Sequence, residues 1–363
     1  MISEKLTQLV AVSNRYGGDA DYVLAGGGNT SFKDGGVMYV KASGTSLADI
    51  TADRFVAMDM SKLSDMLNKA YPEEDEAREA AALADMMAAR LPGEEDKRPS
   101  VEAILHGLFP YKYVVHTHPA IVNGLSCGKD GEKLCGALFN GAVLWIPLTK
   151  PGYILASVCA KRFNGFYEAN GEFPKQVILQ NHGLFAASDT VEEIDALTEN
   201  IMNRIKSRIT EDADFSPLTN IDIDRAERLS AELRNLYPAE NPCVIYNNCS
   251  LLSLNNYIKP FTPDHIVYCK HTPLILNNIG GTGKAMADYI KCHGFPPRIA
   301  LAEGLGFFAM GETAKEAETA RLLFLDAMRI AVYAKSFGGP NPLPDDFTLF
   351  ILNWEVEKYR VKQ

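Results

Sequence analysis

Apolar residues recur at helical spacing over the first fifteen residues (Ile2, Leu6, Leu9, Val10), which predicts an opening helix. The apolar run Tyr22-Val23-Leu24-Ala25 enters the turn Gly26-Gly27-Gly28-Asn29-Thr30-Ser31 and predicts a strand. Val37 to Lys41 and Phe55 to Asp59 predict two more, the first ending in the turn Ala42-Ser43-Gly44-Thr45. Residues 72–100 are charged and broken by Pro72, Pro92 and Pro99, and the acidic run Glu73 to Glu76 predicts a solvated helix start. Ser100 ahead of Val101 to Leu105 predicts an N-cap and a helix that stops near Pro110. Val114-Val115 opens a buried strand that meets His116-Thr117-His118-Pro119, and Val177 to Gln180 forms another that ends at Asn181-His182-Gly183. Thr190 to Glu193 reads as a T-x-x-E capping box, followed by a long helix with Ile194, Leu197, Ile201, Ile205 and Ile209 in line.

The acidic stretch 211–222, which contains Pro217, predicts a boundary between domains at 1–215 and 216–363. The second half partly repeats the first. Arg298 to Leu301, Gly304 to Ala309 and the second box Thr313 to Glu316 pair Gly183 with Gly306, Phe185 with Phe308 and Ala186 with Ala309. Upstream, Asp264 to Lys270 is matched with Lys112 to His118, which sets Tyr268, Lys270 and Leu305 against His116, His118 and His182. The C-terminal part is therefore expected to be a smaller, degenerate α/β copy without metal. His265 and His271 read as packing or surface residues.

Composition narrows the function classes. The 363 residues are 47% hydrophobic and carry a net charge of −10 from 36 basic and 46 acidic side chains. That balance argues against nucleic acid as a partner, since such binding neutralises phosphates with a basic surface. No run of about 18 uncharged apolar residues predicts a membrane span, and no secretory leader pattern is visible, so a cytoplasmic location is expected. The seven cysteines are odd in number and form no C-x-x-C, which argues against a disulfide framework or a cysteine zinc site.

The histidines carry the chemistry. His116 and His118 are separated by one residue at a strand end, and residues i and i+2 of a strand face the same side. Both imidazoles can then reach one metal ion, with His182 as a third donor from another strand end. Three imidazoles leave coordination positions open, as a catalytic site requires. Glu102, fourteen residues before His116, could serve as base or as a displaceable ligand. Taken singly, an H-x-H pair is more often surface or packing histidine, and His182 a hydrogen-bonded core residue.

The segments Gly26 to Ser31, Val40 to Gly44, Pro99 to Glu102, His116 to Pro119 and Asn181 to Leu184 occur in an order that resembles the class II aldolase/adducin superfamily. Over residues 5–210 the chain is similar to the aldolase part of bifunctional rhamnulose-phosphate aldolase/alcohol dehydrogenases. No glycine-rich dinucleotide fingerprint is present. The resemblance implies an α/β fold: a three-layer α/β/α domain with a mainly antiparallel sheet. It implies zinc (or another divalent ion) on His116, His118 and His182, catalysis by Glu102, and substrate phosphate at Gly28, Asn29, Ser43, Gly44 and Ser100. Backbone N–H groups of the Gly28-Asn29 and Ser43-Gly44 turns, with Ser100 at a helix start, suit an anion, and Lys41 is a further partner. Val101 stands where relatives can carry a second hydroxyl. The implied activity is cleavage of a ketose phosphate in a homo-oligomer, with Tyr111, Tyr113 or Tyr153 as second acid, or a group from a neighbouring subunit. Epimerase, dehydratase or decarboxylase chemistry on the same metal, or a non-catalytic adducin-like module, are the alternatives.

Overall fold

The computed structural model describes residues 2–249, 259–276 and 279–354. They divide into two compact units, one of residues 2–126, 130–208 and Trp354, the other of residues 127–129 and 209–353. The break at Arg208 precedes the boundary expected at residue 215.

The first unit runs α1 (Ile2–Gly17), β1 (Asn29–Asp34), β2 (Val37–Lys41), β3 (Phe55–Asp59), α2 (Met60–Met66), α3 (Asp75–Ala88), α4 (Ala103–Leu108), β4 (Tyr113–Thr117) and α5 (Ala120–Ser126). It continues with α6 (Gly131–Phe139), β5 (Leu144–Ile146), α7 (Tyr153–Asn170), β6 (Gln176–Leu179), β7 (Gly183–Ser188) and α8 (Val191–Lys206). The strands form one sheet in the order β3-β2-β1-β4-β7-β6-β5. Every neighbouring pair is antiparallel except β5 with β6.

Alternation along the strands makes two cores. Val114, Phe185 and Ala187 pack on one face with residues of α2, α3, α4 and α7. Tyr113, Val115 and Ala186 pack on the other with Leu9, Val12 and Tyr16 of α1 and Ile194 of α8. Successive strand side chains point to opposite faces, so β4 and β7 feed both layers. The result is the three-layer α/β/α arrangement with a mainly antiparallel sheet.

Several local expectations are corrected. Tyr22 to Ala25 is not a strand: Tyr22 and Val23 donate N–H to Asp19 O, and Ala25 sits at φ 52°. The strand begins instead at Asn29, within the polar run NTSFKD. The helix expected from Val101 starts at Ala103; Ser100 Oγ accepts the Glu102 N–H at 3.3 Å in the turn before it. The acidic start of α3 behaves as expected, with the Glu74 carboxylate capping Glu76 N and Ala77 N. Thr190 caps α8 by accepting Glu193 N–H, but Glu193 turns away to Ser188 and Lys175, so the box is half closed.

The second unit contains α9 (Ile223–Leu236), β8 (Cys243–Asn247), α10 (Pro263–Cys269), β9 (Leu274–Leu276), α11 (Thr282–His293), β10 (Ile299–Ala302), β11 (Gly306–Gly311), α12 (Ala314–Ala334) and α13 (Asp345–Asn353). Its sheet has the order β8-β11-β10-β9. The repeat of β6-β7-α8 in β10-β11-α12 is present, with Thr313 capping α12 as Thr190 caps α8. The upstream match is different from the one expected. Residues 263–269 are helix, started by Pro263 and a box between Thr262 and His265. The strand that pairs with β11 is β8, with Cys243 opposite Gly311, just as Tyr113 of β4 lies opposite Ser188 of β7. In this register Tyr246, Asn248 and Leu305 replace His116, His118 and His182. Tyr246 stacks on Phe308 at 5.0 Å and donates its hydroxyl to Leu305 O at 2.7 Å.

Candidate metal centre

His116 is the fourth residue of β4 and is fully buried on the α4 face, its ring stacked on Phe185 at 4.0 Å. His118 lies just past the strand rather than in it, and its backbone N–H donates to Tyr22 O at 2.9 Å. The turn at Tyr22 thus takes over the strand's part in aiming that side chain. His182 sits in the turn between β6 and β7, next to Asn181 at φ 55°, and its carbonyl accepts from Asn123 Nδ2 at 3.2 Å. A positive φ suits asparagine better than most residues.

The three imidazoles converge. Their ligand atoms lie within 4.8 Å of one another, and they are the one group among the described residues that could hold a metal ion. His116 Nε2 and His118 Nε2 are 3.0 Å apart. His116 Nδ1 donates to Leu184 O at 2.9 Å, which leaves its Nε2 as the lone-pair donor. With His116 Nε2 an acceptor, so short a contact needs either a proton on His118 Nε2 or a cation between the two nitrogens. The set fits a divalent ion that accepts nitrogen donors. Burial pushes the His116 imidazole well below its ordinary range, against the pull of the Glu102 carboxylate.

Gly183 makes the convergence sterically possible. A Cβ there would lie 2.5 Å from Thr117 O, 2.7 Å from His118 Cδ2 and 3.2 Å from His116 Cε1. No other residue type leaves the two rings room.

Glu102 completes the group. Its Oε2 is 3.5 Å from His116 Nε2 and its Oε1 is 3.3 Å from His182 Nε2. Oε1 is buried without a hydrogen bond, while Oε2 accepts from Asn29 Nδ2 at 2.5 Å. Burial alone would raise this carboxyl; the neighbouring His116 and His182 imidazoles and the Asn29 amide reverse the effect and hold it below the ordinary carboxylate range.

The residues expected around a phosphate come from three segments that meet beside this centre. Ala42 bridges to Pro99, Ser100 N–H donates to Lys41 O at 2.9 Å, and Lys41 Nζ donates to Gly28 O at 3.1 Å. Gly28 lies directly against the His116 carbonyl. Two expectations change in detail. The Ser43 N–H is committed to Arg98 O at 2.7 Å. The Asn29 amide is committed at both ends, to Glu102 and to His106, so its side chain serves the carboxylate. Gly44, at φ 82°, makes the turn after Ser43.

The tyrosines offered as second acid have other partners. Tyr113 faces the α1 side of the sheet, opposite His116, and donates to Gln8 Oε1 at 2.7 Å. Tyr111 donates to Phe173 O at 2.8 Å and Tyr153 to Lys69 O at 3.4 Å. Sequence reasoning missed His106, fully buried and bonded to Asn29 and Ser31. Its spacing of four from Glu102 on a short helix was the available signal.

A family model described as class II aldolase and adducin N-terminal domain matches residues 7–207. A Bacillus subtilis (strain 168) protein named uncharacterized oxidoreductase YuxG is 23% identical over 409 residues, covering 98% of this chain. The chain spans 58% of that relative's length. Among solved structures, the N-terminal class II aldolase domain of a conserved Thermoplasma acidophilum protein is similar at 28% identity and a TM-score of 0.46, over 55% of this chain and 91% of that one. L-fuculose-1-phosphate aldolase from Thermus thermophilus is similar at 17% identity and a TM-score of 0.35, over 55% of this chain and 92% of that one. With the family model matching more than half of its residues, the chain belongs to the class II aldolase and adducin family.

Proposed function

We propose that the protein is a zinc-dependent aldolase that cleaves a phosphorylated ketose, such as a deoxyketohexose 1-phosphate, into dihydroxyacetone phosphate and an aldehyde. His116, His118 and His182 would hold the ion. Bound there, a divalent cation would polarise the substrate carbonyl and stabilise negative charge as the carbon–carbon bond breaks. The observation that carries the reading is the convergence of three imidazole nitrogens around one buried carboxylate.

The chain's own groups then have distinct tasks. In the synthetic direction Glu102 Oε1 takes the proton from the carbon next to the carbonyl of dihydroxyacetone phosphate; in cleavage it returns that proton. Having no hydrogen-bond donor of its own, this oxygen is the better base of the two. Asn29 holds Oε2 so that the carboxylate does not rotate. Lys41, Gly28, Gly44 and Ser100 surround the phosphate end, Lys41 supplying the positive charge. Phe185 keeps the His116 ring in plane. We expect the protein to act as a homo-oligomer.

The test is a panel of ketose 1-phosphates with zinc-reconstituted protein, scored for dihydroxyacetone phosphate and aldehyde. Release of both supports the reading. An epimerised, dehydrated or decarboxylated product instead assigns the same centre to one of those reactions. Failure to retain any divalent metal points to a non-catalytic interaction module.

A further inference from the structure

Behind Glu102 lies a line of buried polar side chains that metal binding does not require. Ser31 Oγ is 2.7 Å from His106 Nδ1, His106 Nε2 bonds Asn29 Oδ1, and Asn29 Nδ2 bonds Glu102 Oε2. All four residues are buried, and the His106 ring meets Phe185 edge-on at 5.5 Å.

The donors along this line admit one consistent assignment. An ionised Glu102 only accepts, so Asn29 must turn its NH2 toward it. Asn29 Oδ1 is then an acceptor, which requires the proton of a neutral His106 to sit on Nε2. His106 Nδ1 is left as an acceptor, and the Ser31 hydroxyl donates to it. Each hydrogen bond points toward Glu102, and with that carboxylate ionised the order cannot be reversed without leaving a buried group unsatisfied.

We propose that His106 is a positioning residue for Glu102: acting through Asn29, it pins Oε2 and leaves Oε1 as the single oxygen free to move a proton. The inference rests on the reading of Glu102 as base, and it gives the carboxylate's asymmetry a cause. Ser31 sets the tautomer. A histidine protonated on Nδ1 would present a lone pair to Asn29 Oδ1 and release the amide.

The test uses the full chain loaded with zinc, in two independent arms. In the first, solvent deuterium exchange into dihydroxyacetone phosphate is measured for His106→Leu and His106→Gln. Leucine should lower kcat about 10–100-fold with KM within about threefold and zinc content unchanged. Glutamine, which restores an N–H donor toward Asn29, should recover about tenfold or more of that loss. Undiminished kcat in a folded His106→Leu, or a loss that glutamine does not relieve, overturns the proposal. In the second arm, 15N spectra of the histidine rings need no substrate. His106 should be a neutral Nε2–H tautomer at neutral pH, and Glu102→Gln should move both its Nε2–H and the Asn29 side-chain amide resonances. An Nδ1–H tautomer, or resonances that ignore Glu102→Gln, overturns it. If wild-type protein exchanges nothing, the reading of the reaction fails and the second arm alone decides the relay.

Discussion

Replacing Gly183 with alanine tests whether the three histidines are held together by the backbone around them. The new Cβ would stand 2.5 Å from Thr117 O, about 0.8 Å inside an ordinary carbon–oxygen contact of about 3.3 Å. It would also stand 2.7 Å from His118 Cδ2 and 3.2 Å from His116 Cε1. Thr117 O belongs to β4, paired with β7 from Thr117 opposite Leu184, so the carbonyl cannot give way without opening the sheet beside the site. The rings must move instead, by several tenths of an ångström. Metal–ligand distances tolerate only about 0.2 Å. Overpacking of this kind costs about 1–3 kcal/mol, and part of it falls on the ligand geometry. We therefore expect Gly183→Ala to weaken zinc binding about 10–100-fold in a competitive chelator titration, since each tenfold is about 1.4 kcal/mol. The melting temperature should fall by a few degrees. Gly136→Ala, on the exposed side of α6 with no atom within 4 Å of its new Cβ, is the control and should be neutral or stabilising. Wild-type zinc affinity in Gly183→Ala would refute the reasoning.

The other predictions follow from single side chains. His116→Ala should lose tightly bound zinc and activity together, whereas Glu102→Gln should keep zinc and lose solvent exchange; equal metal loss in both would make Glu102 an essential ligand rather than a base. Burial, with Lys33 nearby, lowers His106 to about 3, so the unfolded chain binds a proton that the folded chain refuses. Stability present above the ordinary histidine value of about 6.5 should therefore fall as the pH drops toward 3, by up to about 1.4 kcal/mol per pH unit. Melting curves at successive pH values should show a shallower decline in His106→Leu than in wild type. Gly152→Ala should be strongly destabilising, by about 3 kcal/mol, because at φ 102° its Cβ would lie 2.1 Å from the Glu79 carboxylate that accepts Tyr153 N–H at the start of α7. A melting temperature unchanged from wild type would contradict that packing.

The legibility of the chain differed by element for physical reasons. Val37 to Lys41, Phe55 to Asp59 and the strand through Val114 are marked by apolar residues that fill the two cores, and their sequence pattern predicts them. β1 was hidden because its burial is polar. Thr30 bonds Ser13, Ser31 bonds His106 and Asn29 bonds Glu102, so a strand whose first four residues are buried reads as a loop. Conversely, Tyr22 to Ala25 is apolar yet turned, because Asp19 O collects its N–H groups and a glycine run follows. The same limit misled the repeat: Ile266 and Val267 look like a strand core, but Pro263 and the Thr262–His265 cap start a helix there. At the centre, the grouping of His116, His118 and His182 was legible from histidine spacing. The support was not, because Gly183, Asn29 and His106 act through contacts between segments distant in the chain.

Anomalous diffraction at the zinc edge, from crystals of the full chain grown with the metal, tests the central claim most directly. The account predicts one peak about 2.0–2.1 Å from Nε2 of His116, His118 and His182. Rings turned to separate partners, with the zinc bound elsewhere, would contradict it.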